Sequence, residues 1–181
     1  MRQEAPAPYG AGMRSLVPIL AGALALTACG SEPREAPLQV THAWVRLPAF
    51  ATSPGAAYFT VHGGPEADTL ERISSPNAAR IDLHGPGMRP LGPQAVPAGG
   101  ELVFAPAGRH AMLFWNGAPA VSRERVPLTL HFRSGRDVTV RAVAVPLGMA
   151  DPEFVDGGEQ GGECVEDVRQ DANRIVATNC G

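Results

Sequence analysis

The sequence predicts an all-β fold, a Greek-key β-sandwich of seven or eight antiparallel strands, on three observations. Apolar-alternating runs of five to eight residues recur along residues 38–145, the signature of strands with one buried face. Gly/Pro turn signals close nearly every run: Ser53-Pro54-Gly55, Gly63-Gly64-Pro65, Gly85-Pro86-Gly87, Pro97-Ala98-Gly99-Gly100 and Ser134-Gly135. The 21 Gly and 18 Pro among 181 residues interrupt the chain too often for a helical bundle, while 44% hydrophobic residues suffice for a core. The net charge of −3 provides no basic field for nucleic acid, and all 15 cations are Arg, which reads as compositional bias.

Residues 1–28 read as an address. Ser15–Leu26 is a 12-residue apolar run behind Arg14, too short to span a bilayer as a helix, and small residues follow it. Cys29, directly after Leu26-Thr27-Ala28, resembles the lipidated cysteine of a bacterial lipobox. A plain secretory leader with an incidental Cys is the alternative. Glu4 and the residues before Met13 suit a leader poorly, which points to Met13 as a start. On the lipobox reading, residues 29–37 are the lipidated Cys and a polar tether, and the protein is a lipid-anchored membrane lipoprotein on the periplasmic face of a bacterium. Gly30 in place of an acidic residue hints at the outer membrane.

The sandwich domain, residues 38–147, is expected to hold strands at Gln39–Arg46, Ala56–His62, Asp68–Ser74, Ala79–His84, Glu101–Ala105, His110–Trp115, Pro127–Phe132 and Val138–Val145. Val126, Leu128, Leu130 and Phe132 alternate with Pro127, Thr129, His131 and Arg133, so one face of that strand is buried. Residues 148–181 change character. An acidic, Gly-rich linker leads to Glu163–Thr178, where Val165, Val168, Ala172, Ile175 and Val176 fall at helical spacing. This predicts a short amphipathic helix, docked on the sandwich or held by a Cys164–Cys180 disulfide; reactive thiols or a metal pair are the other reading of these two Cys.

The histidines and methionines carry the chemical signal. His110 and Met112 lie two apart in one strand, so both point to one face, about 7 Å apart along it. His84 and Met88 flank Gly85-Pro86-Gly87, a turn that can bring a second imidazole and thioether within reach. A His/Met set is soft, and thioether sulfur favours Cu(I) over Zn(II), Mg(II) or Ca(II). An HxM on a strand is, on spacing alone, more often core packing, because Met fills gaps well. His42, His62 and His131 have no such partners in the sequence and read as structural or surface residues. Trp44, Phe114 and Trp115 are candidate walls of a site, with core packing as their commoner role.

At His84, Met88 and His110-Ala111-Met112 the sequence resembles the PCuAC family of periplasmic copper chaperones, which carry a His and a Met, then 21 residues, then HxM. Arg89–Arg109 supplies that spacing. Ala43-Trp44-Val45-Arg46, Ala57-Tyr58-Phe59, Ile81-Asp82-Leu83-His84, Met88-Arg89-Pro90, Val96-Pro97-Ala98-Gly99-Gly100 and Leu128-Thr129-Leu130-His131-Phe132 are also similar to the family, over residues 38–145. One departure is plain: the family's first His and its Met are usually about ten residues apart, and here three intervene, so the loop is shortened and His84 is the least secure ligand.

The resemblance implies a cupredoxin-like sandwich that binds one Cu(I) through His84, Met88, His110 and Met112 and does no catalysis. It further implies delivery of copper to the binuclear centre of cytochrome c oxidase subunit II, alongside Sco-type thiol proteins. A blue-copper electron carrier needs a Cys thiolate with two His, and no Cys lies between Cys29 and Cys164. The remaining alternative is a tethered lipoprotein whose sandwich binds a protein partner without metal.

Overall fold

The computed structural model describes residues 36–156, 167–171 and 173–179. The leader, Cys29, Cys164 and Cys180 lie outside the described residues.

Period-two alternation becomes burial strand by strand. The strands are β1 (Gln39–Arg46), β2 (Gly55–His62), β3 (Asp68–Ser74), β4 (Ala78–Gly85), β5 (Arg89–Pro90), β6 (Gln94–Val96), β7 (Glu101–Phe104), β8 (His110–Trp115), β9 (Arg125–Phe132) and β10 (Asp137–Val145). In β2, Gly55, Ala57, Phe59 and Val61 face inward; in β9, Val126, Leu128, Leu130 and Phe132 do the same. These residues join Leu70, Val96, Phe104, Ala111 and Leu113 in one core, where the Phe59 and Phe104 rings stack with centroids 4.5 Å apart. Burying a side chain of this size contributes about 1.5–3 kcal/mol.

The ten strands form one curled sheet in the order β5-β4-β8-β2-β1-β10-β9-β3-β6, with β7 beside β8 on the same edge of β2. The pairing is antiparallel as expected, except that β1 and β10 run parallel, Trp44 opposite Val143 and Arg46 opposite Val145. The first and last strands of the domain are thus neighbours in the middle of the sheet.

A bulge in β1 decides which residues reach the outer face. Thr41 pairs with Thr60 and Trp44 with Tyr58, so two residues, His42 and Ala43, stand opposite one. His42 takes a left-handed backbone (φ 54) to do this. The extra residue reverses the strand's parity. Val45 turns into the core, and Trp44 and Arg46 turn outward beside Tyr58 and Ala56.

The C-terminal segment departs from its expected helix. Its described residues form β11 (Glu153–Asp156), β12 (Val168–Asp171) and β13 (Arg174–Asn179), a three-stranded sheet in the order β11-β13-β12. Ile175 and Ala177 are fully buried, with Val176 half-exposed between them, so the period that governs packing is two. Val168, Ile175, Val176 and Thr178 are β-branched and fit a pleated surface. The sheet lies on the outer face of the sandwich, where Ile175 and Ala177 cluster with Trp44, Val143 and Val145. A large apolar surface to cover overrides a weak helical spacing.

Candidate metal site

The site is built on the β4–β8 ladder. His84 stands directly opposite His110, and Asp82 opposite Met112, so the four side chains share the outer face of two adjacent strands. The two imidazoles lie with ring centroids 5.8 Å apart and planes 25° apart. Beyond β4 the chain turns through Pro86–Met88, where Gly87 (φ 69) and Met88 (φ 62) are both left-handed. A left-handed non-glycine residue costs about 1–2 kcal/mol. That turn leaves the Met88 side chain 53% exposed.

Met88, His110 and Met112 come together in an open cleft of about 300 Å³, with Tyr58, Ala56 and the Ala107–Gly108 turn as its walls. The turn belongs to an excursion between β7 and β8, closed by hydrogen bonds from the Ala105 amide to the Arg109 carbonyl (2.8 Å) and from the Gly108 amide to the Ala105 carbonyl (3.0 Å). It also fixes the imidazole. His110 donates Nδ1–H to the Gly108 carbonyl at 3.1 Å; a carbonyl only accepts, so Nε2 is left as a lone-pair donor.

His84 is placed differently. It lines the neighbouring cleft with Asp82, Pro90 and Leu91, and its Nδ1 is buried with no hydrogen-bond partner. The structure therefore brings three of the four sequence-predicted ligands into one cleft and leaves the fourth stacked beside them.

The other histidines are engaged at both ring nitrogens where the partners are defined. His131 donates Nδ1–H to Asp137 (2.7 Å), and its Nε2 accepts from the Ser74 hydroxyl (2.7 Å). His62 has the Glu101 carboxylate 3.2 Å from its Nδ1, and its Nε2 accepts from the Thr41 hydroxyl (2.8 Å). Among the described residues, no three His, Cys, Asp or Glu side chains converge in a way that could hold a metal. The cleft of His110 instead pairs an imidazole with the thioethers of Met88 and Met112.

Of the expected aromatic walls, Trp44 lies under the C-terminal sheet, Trp115 packs on the core, and Phe114 carries the Arg80 guanidinium at 3.6 Å. The aromatic that does wall the cleft is Tyr58, from the Ala57-Tyr58-Phe59 stretch of β2. Its period-two position, outward on β2, was the available signal. Burial pushes the Tyr58 phenol above its usual pKa, against the opposing pull of the Arg46 guanidinium.

A family model described as "Putative lipoprotein LpqE-like" matches residues 38–145, the whole sandwich. The chain belongs to the LpqE-like family. This family is of the PCuAC type. Among solved structures, an apo PCuAC domain from PmoF1 is similar at 22% identity and a TM-score of 0.56, over 62% of this chain and 96% of that one. A copper-bound PCuAC domain from PmoF2 is similar at 20% identity and a TM-score of 0.53, over 61% and 96%. The solution structure of CuI-DR1885 from Deinococcus radiodurans is similar at 26% identity and a TM-score of 0.53, over 62% and 80%. No curated protein sequence matches the chain. The LpqE-like sandwich of this protein is thus cupredoxin-like in fold, and its C-terminal sheet lies beyond the span that the family model covers.

Proposed function

We propose that this protein is a Cu(I) carrier that holds one ion in the cleft of Met88, His110 and Met112, with His84 approaching from the adjacent cleft as a fourth donor. The observation that carries the reading is one cleft lined by two thioethers and an imidazole whose Nδ1 is already committed to the Gly108 carbonyl. Thioethers are soft and uncharged, which favours Cu(I) over Zn(II) and Mg(II). The copper-bound PmoF2 domain and CuI-DR1885 support the cargo.

Carriage suits this geometry better than catalysis. The cleft is open and Met88 is half-exposed, so an acceptor's thiolate or imidazole can displace one thioether at a time through shared coordination. We place the protein on the periplasmic face, lipid-anchored at Cys29, with a Cys164–Cys180 disulfide; in the sequence these two Cys flank the antiparallel pair β12–β13. The acceptor on this reading is the binuclear copper centre of cytochrome c oxidase subunit II or a Sco-type thiol protein.

Anaerobic Cu(I) titration against a competing chelator tests the proposal, with X-ray absorption reporting sulfur and nitrogen donors together. One retained ion with two sulfur donors is expected; no retained copper would end it.

A further inference from the structure

The cleft wall on the β2 side is Tyr58, and what covers the ring it packs on, Trp44, lies outside the span shared with the family. Tyr58 pairs across the ladder with Trp44, and their rings pack with centroids 4.4 Å apart. Trp44 faces outward yet is only 6% exposed, because Ile175 and Ala177 of β13 cover it. The start of the linker is tied to the same place. Arg46 lies 4.6 Å over the Trp44 ring and donates to the carbonyls of Pro146 (3.0 Å) and Met149 (2.8 Å) and to the Asp151 carboxylate. Met149 packs against the same cluster.

We infer that Tyr58 is a positioning residue for the bound ion, and that the C-terminal sheet sets its position through Trp44. The inference rests on the copper reading. An open cleft on a sheet face gives a flexible thioether many rotamers, and only some aim sulfur at the ion. A fixed ring on one side removes part of that freedom before copper arrives, so less is lost on binding. The ring does this by its shape, with no donor atom required. Covering Trp44 fixes the ring in turn, since packed aromatics shift together. The appended sheet thereby tunes how long the ion stays without touching it.

The test measures Cu(I) dissociation into excess chelator from the full chain. Tyr58→Leu is expected to release copper about tenfold faster, and Tyr58→Phe at the wild-type rate, because the ring is kept and only the hydroxyl is lost. Should Tyr58→Leu not fold, Tyr58→Thr, a strand-favouring change, serves in its place. Ile175→Ala, which thins the cover over Trp44, is expected to speed release about threefold, with the sulfur and nitrogen donor count unchanged by X-ray absorption. If the wild-type protein retains no Cu(I), the copper reading itself fails. If it retains Cu(I) and Tyr58→Leu releases at the wild-type rate, the positioning role alone is overturned. If only Ile175→Ala is silent, the link to the C-terminal sheet is overturned.

Discussion

Two ladders of this sandwich carry histidines on their outer faces, and they differ in what is left for a metal. On β3–β9–β10, His131 sits between Ser74 and Asp137, with both ring nitrogens hydrogen-bonded at 2.7 Å. Beside it Thr129 and Thr139 bond to each other at 2.9 Å. On β4–β8, His110 gives one nitrogen to a backbone carbonyl and lines an open cleft with Met88 and Met112. The first ladder is a cross-strand pin, and the second borders an open cleft, the one proposed to hold Cu(I). Exposure does not separate them, since both imidazoles are partly buried. What separates them is the second nitrogen: a Ser74 hydroxyl from the neighbouring strand satisfies it at His131, whereas the cleft around His110 is lined by the thioethers of Met112, on the same strand, and Met88, in the turn after β4.

The comparison can be broken most directly at Met112. Met112→Leu keeps the volume and removes the sulfur, so Cu(I) affinity should fall at least about tenfold, ~1.4 kcal/mol, while the urea midpoint stays within error. An unchanged chelator titration would remove Met112 from the site. The converse change is His131→Gln. Loss of the bonds to Ser74 and Asp137 should lower stability by about 1 kcal/mol, read by urea denaturation, and leave Cu(I) affinity untouched. Copper loss in that variant would erase the distinction between the ladders.

A smaller effect is expected at His84, which lines a neighbouring cleft: His84→Ala should weaken Cu(I) only a few-fold, less than Met112→Leu, in the same titration. A larger loss than Met112→Leu would make His84 a principal donor in spite of its shortened loop.

The smallest effect belongs to the pinned side. Asp68 closes the turn after β9 by accepting from the Ser134 hydroxyl and the amides of Thr69 and Ser134. Slight burial works against its charge, but those bonds, the Ser134 hydroxyl foremost, hold its carboxyl below the usual range. A depressed folded-state pKa contributes stability that is present above the unfolded value, about 3.9, and is lost as pH falls through the folded one. Asp68→Asn should therefore cost a few tenths of a kcal/mol at neutral pH, with the gap to wild type closing in acid. A gap that persists to the lowest pH would assign the effect to the turn's shape.

The strands were legible because alternation is local. The expected Gln39–Arg46, Asp68–Ser74 and His110–Trp115 coincide with β1, β3 and β8, and the shared face of His110 and Met112 follows from a spacing of two. The C-terminal segment was not legible. Val168, Ile175 and Val176 satisfy a helical spacing as well as a strand, and only the Trp44, Val143 and Val145 surface chooses between them. His84 was half legible: its ladder position beside His110 is as expected, and its separate cleft is not.

The sequence by itself determined the sandwich, the core face of regularly alternating strands such as β2 and β9, and the few soft donors, because period-two patterning and ligand chemistry are properties of neighbouring residues. The tertiary structure alone decided which imidazole keeps a lone pair, that Tyr58 walls the cleft, and that a bulge at His42 turns Trp44 outward to receive the C-terminal sheet. Each of those outcomes depends on a partner from a distant strand, as Ser74 and His131 show across 57 residues, and such partners meet only when the sheet closes.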